Sequence, residues 1–84
     1  MNDYPFVEVE WHDANVTTLT TFDPSTHHKP TVMFTRGWLV KQDDAGVSVS
    51  GERYLEDGQW SYRGHTFVLA AMVVRVRKLS RKTK

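Results

Sequence analysis

Four histidines and two close pairs of acids are the residues of this chain best suited to metal or proton chemistry. His27 and His28 are adjacent in a polar segment bounded by Pro24 and Pro30, and His12 stands beside Asp13. Zinc takes three or four converging ligands. Neighbours on an extended chain point to opposite sides, so a site would need His12, Asp13 and one of the two loop histidines to meet through folding. No helical i, i+4 histidine pair exists to assist, and the histidines are read as polar loop residues with no metal. Glu8 and Glu10 share one strand face. A carboxylate pair does acid–base work when burial tunes its pKa values, but these two alternate with apolar residues, as solvent-facing residues do. Asp43-Asp44 sits where a hairpin needs turn formers. No glycine-rich phosphate loop is present, and no Ser/His/Asp spacing marks a triad, which is set by geometry rather than order. The expectation is a non-enzymatic chain without a cofactor.

Charge offers a different chemistry. Six of the eleven basic residues (Arg75, Arg77, Lys78, Arg81, Lys82, Lys84) fall within residues 75–84, which hold no acid. That leaves five basic residues against all ten acids in residues 1–74, a body of −5 and a tail of +6. A split of this kind reads either as an interaction tail or as a solvated end. Tail residues could contact nucleic-acid phosphates while surface aromatics stack on bases, although an acidic body repels phosphate. A further alternative is an oligomer whose subunit junctions hold a small nucleotide through Arg36, Arg53 or Arg63.

The aromatic content points to a third class. Ten aromatics in 84 residues exceed what one small domain can hide, and exposed aromatic clusters mark interaction sites. Trp11 and Phe67 lie in strand patterns that suit a core. Trp38, Tyr54, Trp60 and Tyr62 are the candidate partner-binding residues. Strand edges at Val47–Ser50 or Met72–Leu79 could pair with a second copy.

The elements that must position these groups are short strands. Val7, Val9 and Trp11 alternate with Glu8 and Glu10, a period of two. His12 to Asn15 is turn chemistry. Val16–Phe22 is threonine-rich and extended, and Asp23–Pro30, with two prolines, is a loop. Thr31–Gln42 is a long strand with a bulge or bend expected at Gly37. Asp43–Gly46 and Glu56–Gln59 are hairpin turns, with strands between and after them. Leu69-Ala70-Ala71 suits one helical turn. Met72–Leu79 alternates again, with Val74 and Val76 inward and Arg75 and Arg77 outward. No sustained 3.6-residue apolar stripe appears, so no substantial helix is expected. The class is all-β, a single domain over residues 1–79 with a basic, disordered tail over 80–84. Cysteine is absent, so packing or a partner subunit must hold this small core. Neither a signal peptide nor an apolar run long enough to span a bilayer is visible.

The order of first strand, long polar loop (Asn15–Pro30), bent strand, two tight hairpins, a single helical turn and a last strand is similar to an SH3-like barrel: five antiparallel strands, a long loop after the first, a short 3₁₀ turn before the last. The run Gly37-Trp38-Leu39-Val40-Lys41-Gln42-Asp43-Asp44-Ala45-Gly46-Val47, with Val9-Glu10-Trp11 before it and Thr66-Phe67-Val68 and Val74-Arg75-Val76-Arg77-Lys78-Leu79 after it, resembles small bacteriophage-encoded proteins of unknown function. It departs from them where they carry a proline before the last strand and Leu69-Ala70-Ala71 stands here. The resemblance implies viral origin, a small β-barrel and residence in the host cytoplasm, and it carries no site residues. The function expected is occupation of a host protein, such as a defence or transcription factor, by a self-associating module without a membrane anchor. Nucleic-acid binding through the tail and nucleotide sequestration by an oligomer are the alternatives.

Overall fold

The structure, a computed structural model, describes residues 3–14 and 30–79. The threonine-rich run, His27-His28, nearly all of the expected long loop and tail residues Arg81, Lys82 and Lys84 lie outside the described residues.

Among the described residues there are five strands and one 3₁₀ turn: β1 (Phe6–Asp13), β2 (Thr31–Asp43), β3 (Gly46–Glu56), β4 (Gln59–Leu69), a turn at Ala70–Met72, and β5 (Val73–Lys78). They form one antiparallel sheet in the order β4-β3-β2-β1-β5. The all-β class, both hairpin turns and the helical turn before the last strand are as the sequence predicts. The sheet is open: β4 and β5 are its two edges and do not pair with each other.

Yet those edges are joined by three residues. Four strand spacings across a flat sheet measure about 19 Å, whereas three 3₁₀ residues rise about 6 Å. The sheet must therefore curl so that its ends approach where β4 runs into β5. The Ala70 amide, donating to the Ala45 carbonyl at 3.0 Å, pins the turn against the β2–β3 connection.

The concave side is filled with valine. Val7, Val9, Val47, Val49 and Val68 are 0–3% exposed, and Trp11, Leu39, Val73 and Val76 pack against the first four from partly buried positions. Period-two alternation puts Val7 and Val9 on one face and Glu8 and Glu10 on the other. Gly37 stands directly across from Val7. A Cβ there would run into the Ser50 carbonyl oxygen and lie 3.4 Å from the Val49 Cβ. The missing side chain is what lets β3 fold close over β2, so that valines from non-adjacent strands touch.

Several local expectations are corrected. His12 and Asp13 continue β1, opposite Val32 and Thr31, instead of turning. The irregularity in the β2–β3 pairing falls between Leu39 and Lys41, not at Gly37. Val47–Ser50 is no edge, since β3 lies between β2 and β4. Phe67 is 54% exposed, because it shares the convex face with its cross-strand partner Ser48. A register shift between Glu10 and Trp11 inserts one extra residue into β5. It turns Val73 and Val76 toward the core and leaves Val74 51% exposed.

Gly37→Ala should destabilise the fold by about 1–3 kcal/mol through backbone overpacking, or roughly 5–20 °C in melting temperature for a domain of this size. Gly51→Ala, whose Cβ would come no closer than 3.7 Å to its neighbour, should change the melt little. Thermal melts of the two variants check the contrast.

Candidate protein-interaction face

The β3–β4 hairpin continues beyond the valine core. Its two-residue turn, Asp57-Gly58, has positive φ at both positions (53° and 75°), the geometry that suits the twist of paired strands. Counting back from this turn sets Arg53 opposite Tyr62 and Leu55 opposite Trp60. The positions that lined the core near the root of the hairpin thus carry cationic and aromatic side chains farther along it.

Arg53 is the centre of the cluster. Its guanidinium lies over the Trp60 ring, 3.7 Å from the centroid, and over the Trp38 ring at 4.7 Å. It donates to an Asp3 carboxylate oxygen at 2.8 Å and to the Tyr62 hydroxyl at 3.4 Å. The Tyr62 ring meets Trp38 and Tyr4 edge-on at 6.2 and 5.1 Å, and Phe6 meets Trp38 edge-on at 5.0 Å. Edge-to-face geometry suits the ring quadrupole, and a cation over an indole face is its best cation–π placement. Burial works to lower the pKa of Arg53, but the bonds to Tyr62 and Asp3 outweigh it and hold the group above its ordinary value. Only 15% of the Arg53 side chain remains exposed.

Three of the four expected partner-binding aromatics, Trp38, Trp60 and Tyr62, therefore meet around one arginine. Tyr54 does not join them. The neighbour of Arg53 on the strand, it faces the other way, is 44% exposed, and lies 5.4 Å below the Arg63 guanidinium, which also pairs with Glu52 at 2.8 Å. Sequence reasoning named Arg53 only as a phosphate ligand and missed Asp3, Tyr4 and Phe6. The Arg53–Tyr62 pairing was within reach, because the Asp57-Gly58 turn fixes it.

The arginines of β5 are engaged. Arg77 and Arg36 clamp Glu8 from both sides at 2.7 and 2.9 Å, and Arg75 pairs with Glu10 at 3.0 Å. The three strands β2, β1 and β5 lie side by side, so an acidic central strand is flanked by arginines. Glu8 and Glu10 are not freely solvated, with side chains only 11% and 21% exposed. The bonds from Arg77 and then Arg36 hold the Glu8 carboxyl below its usual range. Arg36, Arg53 and Arg63, the candidate nucleotide ligands, each face a carboxylate already. Lys78 is exposed at the end of β5. Among the described residues there is no cavity and no cluster of three or more metal-ligating side chains, and no helix is long and apolar enough to cross a membrane.

No protein-family model, curated protein or solved structure matches this chain.

The clamp on Glu8 predicts an acid dependence. A carboxyl whose folded pKa lies below its ordinary 4.5 contributes stability that is complete above that value and lost as pH falls through the folded one. Glu8→Gln should melt lower than wild type near neutrality, and the gap should narrow as pH drops below about 4.5. Melting curves that stay parallel from pH 7 to 3 would contradict this.

Proposed function

We propose that this chain is a non-enzymatic binding module, an SH3-like barrel of bacteriophage type, that acts in the host cytoplasm by occupying a host protein. The fold reading is supported by the strand order β4-β3-β2-β1-β5, with a one-turn 3₁₀ segment before the last strand. The phage reading rests on the resemblance carried by Gly37–Val47 and the strands around it.

A single observation carries the functional reading. Trp38, Trp60, Tyr62 and Arg53 gather on one partly exposed face outside the valine core. Tryptophan, tyrosine and arginine are the residue types that dominate binding hot spots, and hot spots cluster. The rigid packing of the rings around a guanidinium also reduces the ordering cost of binding. Among the described residues the outer edges of β4 and β5 have no strand partner, which leaves room for self-association.

Nucleic-acid binding draws less support. Arg75 and Arg77 already neutralise Glu10 and Glu8, and phosphate would have to displace those carboxylates.

The test is affinity capture from nuclease-treated bacterial lysate with wild type and Trp60→Ala, each first shown by circular dichroism to be folded. A discrete protein retained by wild type should bind Trp60→Ala at least about 30-fold more weakly, the roughly 2 kcal/mol of a hot-spot truncation. Retention indifferent to Trp60 would overturn the face. Recovery of nucleic acid alone, before nuclease treatment, would favour the nucleic-acid alternative.

A further inference from the structure

The aromatic–arginine face is already occupied, by the segment that precedes β1. An Asp3 carboxylate oxygen accepts from the Arg53 guanidinium at 2.8 Å. The Tyr4 amide donates to the Tyr62 hydroxyl at 3.2 Å, and the Tyr4 ring packs edge-on against the Tyr62 ring. The Pro5 carbonyl accepts from the Leu39 amide at 2.8 Å. Acid, aromatic and proline thus lie in sequence along β3, β4 and β2, each making one contact of a different kind. These are the contacts a bound peptide would make: a charge-assisted bond to a guanidinium, a ring in an aromatic notch and a backbone bond beside it.

The strap is only partly embedded. Asp3 is exposed, with 46% of its side-chain surface open, and Tyr4 and Pro5 are only partly covered. By contrast the guanidinium it covers is held from the other side by two indole rings. The receptor half of the contact is built into the sheet, and the ligand half is the short segment that precedes β1.

We infer that Asp3-Tyr4-Pro5 is an internal stand-in for the partner, and that the face takes an extended segment carrying a carboxylate followed by an aromatic residue. Such a segment displaces the strap, pairs with Arg53 and stacks on Tyr62. This rests on the protein-binding reading of the same face and adds the chemistry of what binds there. Occupation in cis reduces the apparent affinity to the intrinsic one multiplied by the fraction of molecules whose strap is undocked, so the strap also sets the threshold for binding.

The experiment uses the full chain and a defined probe, the tetrapeptide acetyl-Asp-Tyr-Pro-Phe-amide, which copies residues 3–6. Binding is followed by tryptophan fluorescence and by NMR of the indole N–H groups. The variant Asp3→Ala/Tyr4→Ala, shown by circular dichroism to keep its sheet, should bind the peptide about tenfold more tightly than wild type does. Adding Arg53→Leu to it should abolish binding, as should an Asn-for-Asp change in the peptide. Equal affinity for wild type and the double variant, no binding to the folded double variant, or indifference to Arg53→Leu would each overturn the inference. So would a wild-type dimer that dissociates with Asp3→Ala, because the occupant would then be the strap of a second copy. If the peptide fails while a protein is still captured in a Trp60-dependent way, the strap inference alone falls. If capture is lost as well, the binding reading falls with it.

Discussion

The three residues that carry the chain from one edge of the sheet to the other govern the rest of the molecule. Ala70–Met72 allow no span wide enough for a flat five-stranded sheet, so the sheet curls. Curling leaves a narrow concave space, and narrow space selects small side chains. Five valines fill it, and glycine is required where β3 comes over β2 at Gly37 and where Gly46 passes the Val68 carbonyl. Among the large rings Trp11 packs against these valines, from a partly buried position. Trp38, Trp60 and Tyr62 lie farther along the sheet and gather around Arg53. An aromatic face outside the core is thus a consequence of how the core is closed.

Much of this was legible from local rules. Alternation gave β1 and the root of β3, and Asp-Asp-Ala-Gly and Asp-Gly marked both hairpins, because turn residues act within four positions of themselves. Failures came where one residue changed the parity of a strand. Val74 was read inward by counting, but the extra residue in β5 shifts the count, and nothing in Val73-Val74 distinguishes the two. At Gly37 the sequence suggests a bulge or a bend, because glycine serves these and close approaches equally well. Choosing between them needs the neighbouring strand, which lies thirteen residues away in sequence at Ser50. His12 and Asp13 were read as a turn on side-chain preference, and pairing to Val32 and Thr31 overrode it.

Charge shows the same distinction between order along the chain and position in space. The sequence separates an acidic body from a basic tail, but folding places β5 beside β1 and β1 beside β2. Arg75, Arg77 and Arg36 come to rest over Glu10 and Glu8, and the segregation is partly cancelled within the sheet. Surface pairs of this kind each add little stability. Their larger effect is on partners. An arginine chelating a carboxylate is a poorer phosphate ligand than a free one, so the basic composition of β5 overstates its attraction for polyanions.

The cluster around Arg53 is built differently from the clamp on Glu8, and the difference bears on function. Every ring of the cluster adjoins another ring or the guanidinium, but the Trp38 indole N–H is enclosed without an acceptor among the described residues. Trp11 shows that this fold can satisfy an indole, since its N–H donates to the Thr35 hydroxyl at 2.9 Å. A buried donor left unpaired costs about 1–3 kcal/mol, a large share of what so small a domain has. Stability alone would favour a residue at 38 without that donor. What Trp38 provides is a second indole ring against the Arg53 guanidinium, besides that of Trp60. Two rings hold the guanidinium in one orientation, with its outer edge toward the strap. A cation fixed in that way has lost its conformational freedom before any ligand arrives. The local departure from good packing therefore falls at the one side chain that a recognising arginine needs and a merely structural one does not.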